Sequence, residues 1–225
     1  MNVAPYLNSW GGMDLRPGEP CDNALLFLST YYVLRCLSGE HPSTQEYEAA
    51  VRACEVEPGL YNRRPGDQVS TEAMDDYVGI CAASVFMQVK FAAEIFTYAK
   101  ASGGNFNNVD PGKWALWAWR QPSDLALYAI CAGRRPDLFS FAYLCIGICI
   151  TAFQGEKRTS EHLLTWLRVA AIERAGLEPW ARSWFRLAAG IWRIGVRIRF
   201  GSMARVFEIY YPEGHPNLAL AKGIL

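Results

Sequence analysis

Residues 24–37 read ALLFLSTYYVLRCL, and Arg35 is the only charged residue among them. When this segment is drawn as an α-helix, its large apolar side chains point to all sides. A helix that is apolar around its whole circumference must be covered on all sides. The apolar residues of 77–98 and of 138–153 are distributed in the same way. We therefore predict several inner helices that are wrapped by outer ones within one domain.

Residues 178–199 show a different kind of helix, an amphipathic one. At roughly 100° per residue, four arginines fall within a narrow arc and the apolar residues fall on the opposite face. We expect the apolar face to pack on the core. The arginines are Arg182, Arg186, Arg193 and Arg197, and the apolar face holds Trp184, Leu187, Ala188, Ile191, Ile194, Gly195 and Ile198.

Helix-start and helix-stop signals are frequent along the chain, whereas strand and hairpin signals are scarce. They predict an irregular N-terminal arm over 1–21 and a single helical domain over 22–225, with about nine helices in all. The fold class is therefore all-α, as a two-layer helical array or a partial α/α toroid. Asp22 and Ser43 are predicted to cap helices, and one long helix over 72–100 is predicted to break near Gly79.

Composition excludes several classes of function. The formal net charge is zero, so no overall field attracts nucleic acid. The uncharged run 138–153 has 16 residues, fewer than the about 18 that a bilayer span requires. The three histidines and seven cysteines lack the spacing of metal ligands, so we expect neither a metal nor a cofactor. The odd number of cysteines and the absence of a signal sequence predict a reducing compartment rather than secretion.

Acidic residues open two of the predicted inner helices: Asp22 the first, and Asp75 with Asp76 the second. Such residues commonly cap helices, because a carboxylate accepts the unpaired backbone N–H groups. The alternative is catalytic. With both helix starts at one end of the array, Asp76 as general acid and Asp22 as general base could act on a glycosidic bond. This alternative requires burial to raise the pKa of Asp76, because capping alone lowers it.

A loop over 57–67 precedes the second acidic helix start. Tyr61 is a candidate for stacking on a sugar, and Arg63 is a candidate for binding a carboxylate or phosphate. Asn62 in the loop and Tyr77 beside the acids are further candidate ligand contacts, as is Asp75. The alternative is a surface loop whose arginines pair with nearby acids.

Charge is distributed unevenly although the total is zero. Residues 1–155 hold 11 basic and 16 acidic residues, whereas residues 156–210 hold 10 and 5. The four arginines of the amphipathic helix are therefore a candidate interface with a phosphate backbone or an acidic protein, and the alternative is a solvated helix face. Three tryptophans, Trp114, Trp117 and Trp119, lie on different faces of a short predicted helix, so we expect them to pack in the core or in an interface.

Five short motifs follow one another along the chain: CDN at 21–23, LLF at 25–27, EPGLYNR at 57–63, DDYVG at 75–79 and HP at 215–216. In these motifs the chain resembles a family of uncharacterised helical proteins from tailed-bacteriophage genomes. The resemblance implies a phage origin, with the host cytoplasm or the virion as location, and implies no mechanism. Layered helices with acidic starts and many tryptophans are also similar to α/α-toroid glycosidases, although a complete toroid has more helices.

These observations lead to two functional expectations. The first is a phage-encoded protein whose carboxylate- and aromatic-lined cleft binds a glycan-like ligand, with Asp76 and Asp22 as the catalytic pair of a related hydrolase. The second is a virion or host-interaction protein without catalysis, which acts through its Arg-rich face and its tryptophan-rich surface. The positions of the two acids distinguish these expectations, because catalysis requires both to face a shared cavity.

Overall fold

The computed structural model describes residues 3–66, 74–102 and 120–225. Helices make up most of these residues, and the one sheet among them is a short antiparallel hairpin. The fold is all-α and forms a single domain, as predicted. The elements are α1 (Ala24–Leu37), α2 (Thr44–Ala53), β1 (Glu55–Glu57), β2 (Leu60–Tyr61), α3 (Met74–Met87), α4 (Phe91–Ala101), α5 (Arg120–Cys131), α6 (Leu138–Thr151), α7 (Thr159–Ala175), α8 (Pro179–Phe200), α9 (Met203–Tyr210) and α10 (Pro216–Ile224).

Helices α1 and α3 lie in the core, side by side and parallel. Ten of the 14 residues of α1 are buried, and so is every residue of α3 from 76 to 84. Their backbones approach closely at Gly79, where a Cβ atom would lie 3.1 Å from Cβ of Ser29 and 3.2 Å from Cα of Leu26. The prediction of inner helices is confirmed for 24–37 and for the first part of 77–98, whereas α4, which holds the rest of that segment, is buried on one side only.

The helix predicted over 72–100 is two helices, α3 and α4. The chain breaks at Gln88, which has a φ of 59° that a right-handed helix does not accommodate. The predicted break near Gly79 is wrong, because Gly79 lies inside α3 at the contact with α1. This glycine therefore marks a close approach of two helices rather than a helix end.

Side chains cap α6, α9 and α10 by accepting a backbone N–H two or three residues ahead. The capping residues are Asp137, Ser202 and His215. Ser43 holds the N-cap position of α2, as predicted, but its side chain accepts no backbone N–H there. Helix α10 and the hairpin were not predicted from the sequence.

The N-terminal arm, which was predicted to be irregular, contains a short 3-10 helix over Ala4–Tyr6 and packs against the α-helices. Met13 and Asp14 are buried. His215 joins the arm to α10, because its Nε2 lies 3.3 Å from the carbonyl oxygen of Asp14 while its Nδ1 accepts the N–H of Asn217. Burial lowers the pKa of His215 to about 4, so the ring is neutral at neutral pH. The neutral ring thus donates to the arm through Nε2 and caps α10 through Nδ1.

Helices α6 and α8 also lie side by side and parallel. Near their starts, the rings of Phe141 and Trp180 meet edge to face with 5.3 Å between centroids. Near their ends, a Cβ atom on Gly195 would overlap the carbonyl oxygen of Ala152 and lie 2.8 Å from its Cα. The two helix backbones can approach this closely only because position 195 has no side chain.

The predicted orientation of α8 is wrong. Most of its large apolar stripe faces solvent, with Trp184, Leu187, Ile194 and Ile198 57–75% exposed. The helix packs instead through a face of small and aromatic residues, since small side chains permit the close contact with α6. The buried residues of α8 are Ala181, Phe185, Ala188, Ala189, Trp192, Gly195, Val196 and Phe200.

The contact between α6 and α8 can be tested with two glycines of α8. Gly195→Ala should lower the free energy of unfolding by about 1–3 kcal/mol, because the methyl group would overlap the backbone of Ala152. Gly190→Ala is the matched control: a Cβ atom there meets nothing within 4 Å, so the better helix former should raise stability by up to about 1 kcal/mol. Urea denaturation followed by circular dichroism measures both changes, and equal effects would contradict the contact.

Candidate functional sites

Asp76 lies in the first turn of α3, but its carboxyl group forms a hydrogen bond with the first turn of α1. Its Oδ1 accepts the N–H of Leu26, in the first turn of α1, at 2.8 Å. The residue is only 2% exposed, and among the described residues no donor reaches Oδ2. Burial raises the pKa of Asp76 to about 8, although the Leu26 hydrogen bond and the charge of Arg63 oppose the shift. At neutral pH the carboxyl group is therefore mostly protonated.

Asp22 lies on the surface beside two arginines. Its carboxylate is 2.8 Å from Nη2 of Arg64 and 3.3 Å from Nη1 of Arg63, and its side chain is 62% exposed. The prediction that Asp22 caps α1 is wrong, because Asn23 holds the N-cap position. Asp22 instead connects the start of α1 to the loop that follows β2.

Tyr61 and Tyr77 are buried and hydrogen-bonded within the protein. The N–H of Tyr61 donates to Oη of Tyr77 at 2.8 Å, and the hydroxyl of Tyr77 donates to the carbonyl of Tyr61 at 3.1 Å. The hydroxyl of Tyr61 donates to Glu94 of α4 at 3.0 Å. Asn62 is also buried, and its N–H donates to the carbonyl of Cys54. These bonds hold the hairpin against α3 and α4, and neither tyrosine ring is open to a ligand in this structure.

The acidic starts of α1 and α3 lie at the same end of the two helices, as the catalytic hypothesis requires. Arg63 connects them, because it pairs with Asp22 and its charge also acts on Asp76. Asp75 is partly buried, and its charge acts on Asp76 as well. The structure thus brings four predicted site residues into one cluster, with Asp22 exposed and Asp76 buried.

A second candidate site is an exposed apolar surface on α6 and α8, which we call the α6–α8 surface. Its nine large side chains are 53–75% exposed, and none of the residues 138–153 is charged. A groove of about 310 Å³ lies between the two helices at Cys145, Cys149 and Ala188. The nine side chains are Leu138, Phe139, Ile146, Ile150, Phe153, Trp184, Leu187, Ile194 and Ile198.

The prediction that the segment 138–153 is covered on all sides is wrong. One side of α6 packs on α5 and α8, and the opposite side faces solvent. A fully exposed aromatic side chain presents about 150–250 Å² and an aliphatic one somewhat less, so nine large side chains at 53–75% exposure present on the order of 1,000 Å². Monomeric proteins rarely expose a contiguous apolar patch of more than about 300–600 Å². The α6–α8 surface is therefore larger than the apolar patches that monomeric proteins usually expose to water.

The four arginines of α8 form an exposed row, which we call the Arg row: Arg182, Arg186, Arg193 and Arg197. Arg193 pairs with Glu173 of α7 at 2.7 Å, and Arg182 donates to a backbone carbonyl at 2.9 Å. At roughly 100° per residue, the Arg row lies between the buried face of α8 and its exposed apolar face. It therefore borders the α6–α8 surface.

A buried ion pair joins α5 and α7, and no pattern in the sequence indicated it. Asp124 and Arg168 lie 2.8 Å apart, and their side chains are 2% and 12% exposed. The two residues are 44 positions apart, so no local spacing connects them. The pair holds two core helices together at a point where an unpaired charge would be costly.

Other predictions concern metals, membranes and cysteines. Among the described residues no three side chains are arranged to bind a metal ion, and no helix is long and apolar enough to cross a bilayer. All seven cysteines are free, but only Cys54 and Cys81 are fully buried. The predicted residues Trp114, Trp117 and Trp119 lie outside the described part of the chain.

Comparisons of the chain with protein-family models, with curated proteins and with solved structures gave no significant match. The resemblance to helical proteins of tailed bacteriophages stays a prediction.

The buried carboxyl group of Asp76 predicts a specific pH dependence of stability. Its pKa of about 8 in the folded protein lies above the ordinary aspartate value of 3.8, so the folded state binds the proton more readily than the unfolded chain. This contribution is fully present below about pH 4 and is lost as the pH rises through about 8. Asp76→Asn keeps an acceptor for the Leu26 N–H and cannot ionise. Its stability relative to wild type should therefore rise with pH, by up to about 1.4 kcal/mol per pH unit.

Urea denaturation at several pH values between about 5 and 8.5 measures this difference. Titrations elsewhere, such as that of His215, are common to both proteins and cancel in the difference. Asp22→Asn changes an exposed carboxylate and is the control. A difference between wild type and Asp76→Asn that is constant over this range would contradict a buried, protonated Asp76.

Proposed function

We propose that the protein is an interaction protein that assembles through the α6–α8 surface, and that a second copy of the chain covers this surface. The observation that carries the proposal is the exposure of nine large apolar side chains on two adjacent helices. A helix that is apolar on all sides, as α6 is, is typical of a fully covered position. The described residues of the chain cover only one side of α6, and we assign the other side to a second copy.

The chemistry of the surface favours a second copy as the covering molecule. The segment 138–153 is uncharged, so the α6 part of the surface can meet the same part of a second copy without like-charge repulsion. Arg199, whose guanidinium group lies 5.8 Å from the ring centre of Phe153, places one positive charge beside this surface. An exposed area on the order of 1,000 Å² compares with about 800 Å² per partner in a standard stable interface. Around a twofold axis, α6 and α8 of one copy would pack on the same helices of the other.

The Arg row is suited to the rim of such an interface, where polar and charged residues remain in contact with water. The proposal belongs to the class of the second sequence-based expectation, a protein that acts through its Arg-rich face and tryptophans. Of the tryptophans, Trp184 is part of the α6–α8 surface. A virion or host setting rests on the phage resemblance and stays a prediction.

The double substitution Ile150→Asp with Leu187→Asp should separate the two copies, because it places unpaired charges in an apolar interface. Both side chains are more than half exposed, so the single chain should keep its fold and its melting temperature. Val56→Asp, at a 50% exposed position on β1, is the matched control. Sedimentation velocity should show a dimer for wild type and for the control, and a monomer for the double variant.

Two outcomes would contradict this proposal. One is a wild-type chain that remains monomeric at concentrations of about 100 μM, where even a moderately weak dimer forms. The other is a monomer that binds vesicles of phosphatidylcholine and phosphatidylglycerol and loses this binding in the double variant. That result would assign the α6–α8 surface to a membrane interface.

A second candidate function is the glycan-binding cleft expected from the sequence, at the starts of α1 and α3. The observation in its favour is the contrast between the two acids: Asp76 is buried with a raised pKa, and Asp22 is exposed and ion-paired. Two carboxyl groups in different environments are what a glycosidase uses to divide acid and base roles. Since Asp76 is buried, a sugar could reach it only if the start of α3 moved.

Soluble peptidoglycan fragments and chitotetraose are suitable probes of this second candidate. Asp76→Asn should abolish turnover, or weaken binding about tenfold or more, in a protein that remains folded. Asp22→Asn should do the same if the two acids act together. If a folded Asp76→Ala protein binds these glycans as wild type does, Asp76 has no role in glycan binding and only caps α1.

A further inference from the structure

A cavity of about 720 Å³ lies at the end of α1, where α7, α8 and α9 meet. Its floor is aromatic and apolar: Trp166 of α7 and Trp192 and Val196 of α8 are 7%, 3% and 4% exposed. Cavities of about 300–1,000 Å³ with mostly apolar linings and a few polar groups are typical of small-molecule sites. None of the residues 138–153 lines it, so the cavity is separate from α6.

The acidic residues that line this cavity are already neutralised by arginines. Glu173 pairs with Arg193 at 2.7 Å, and both residues belong to the lining. Glu40 pairs at 2.6 Å with Arg35, which lies outside the lining. Neither glutamate is therefore available to balance the remaining positive charges.

Two further arginines line the cavity without a carboxylate partner. Arg197 makes no side-chain hydrogen bond or ion pair within the described part of the chain. Arg174 has no ion pair there either, and its guanidinium group lies over the ring of Phe86 at 5.9 Å. The cavity thus combines an apolar floor with two guanidinium groups that can bind an anion by donating hydrogen bonds to it.

We propose that this cavity binds a small amphipathic anion, whose apolar body packs on Trp166 and Trp192 and whose carboxylate or phosphate group pairs with Arg174 and Arg197. Guanidinium groups bind both kinds of anion through two parallel hydrogen bonds. An apolar chain or ring removes water from the floor, whereas the hydroxyls of a sugar would lose hydrogen bonds there. A cationic amphiphile would meet two unpaired positive charges.

This inference does not depend on the proposed function. The cavity uses the buried face of α8 and the end of the Arg row, whereas the α6–α8 surface uses the exposed apolar residues of the helix, none of which lines the cavity. Self-association and ligand binding can therefore succeed or fail independently.

The test is isothermal titration calorimetry of the full chain with dodecanoate and with dodecyl phosphate, both below their micelle concentrations. Dodecyltrimethylammonium is the cationic counterpart. One equivalent of either anion should bind, and the cation should bind about tenfold more weakly or not at all. Comparison of the two anions shows which head group the cavity prefers. A site for carboxylates should bind dodecanoate more tightly, and a site for phosphates should bind dodecyl phosphate more tightly.

Arg174→Ala with Arg197→Ala should weaken anion binding about tenfold or more. Arg186→Ala is the matched control, since this residue lies in the same Arg row but outside the cavity, and it should leave the affinity unchanged. Leu37→Trp, at a 40% exposed position in the lining, should block binding without unfolding the protein.

Three outcomes would overturn this inference. The first is that neither anion binds, and the second is that the cation binds as tightly as the anions. The third is an unchanged anion affinity in the double arginine variant. If Ile150→Asp with Leu187→Asp abolishes anion binding while Arg174→Ala with Arg197→Ala leaves it unchanged, the anion binds at the α6–α8 surface and not in the cavity.

Discussion

The hydrogen bond from the backbone N–H of Leu26 to Oδ1 of Asp76 joins the two helices at the centre of the fold. It can form because α1 and α3 start at the same end and because Gly79 lets their backbones approach. The bond requires a carboxyl group in the core, where a carboxylate would be costly. Protonation removes most of that cost, since the pKa of Asp76 is raised to about 8, and the neutral group still accepts through Oδ1. One residue thus fixes the register of two helices without leaving a buried charge.

The sequence predicted the core of the fold better than its outer helices. Residues 24–37 and the first part of 77–98 are apolar on all sides and form mostly buried helices. The same pattern in 138–153 led to a wrong prediction, because only one side of α6 packs on the protein. For α8 the periodicity located the apolar stripe correctly, but it could not tell which side faces the protein. That choice is made by packing: Gly195 admits the backbone of Ala152, and larger residues at this position would keep α6 away.

The candidate carboxylate site was predictable in part. The sequence showed that Asp76 would have to be buried for its pKa to rise, and the structure places it in the core. It could not show that Asp76 caps α1 or that Asp22 pairs with Arg63 and Arg64, because these contacts join residues about 40–50 positions apart. Tyr61 was predicted to lie in a loop, but its side chain points into the protein, and hydrogen bonds to Tyr77 and Glu94 hold the residue there. Local patterns indicate which groups can bond, and only the fold selects which ones do.

Helix α8 has three faces, and each has a different role. Its small residues contact α6, its Arg row contributes Arg193 and Arg197 to the cavity, and its exposed apolar residues are four of the nine in the α6–α8 surface. The close contact at Gly195 sets the rotation of α8 about its own axis. That rotation decides both which arginines reach the cavity and which apolar residues lie beside α6. The two candidate sites share no residue, but a single backbone contact positions the helix that both of them use.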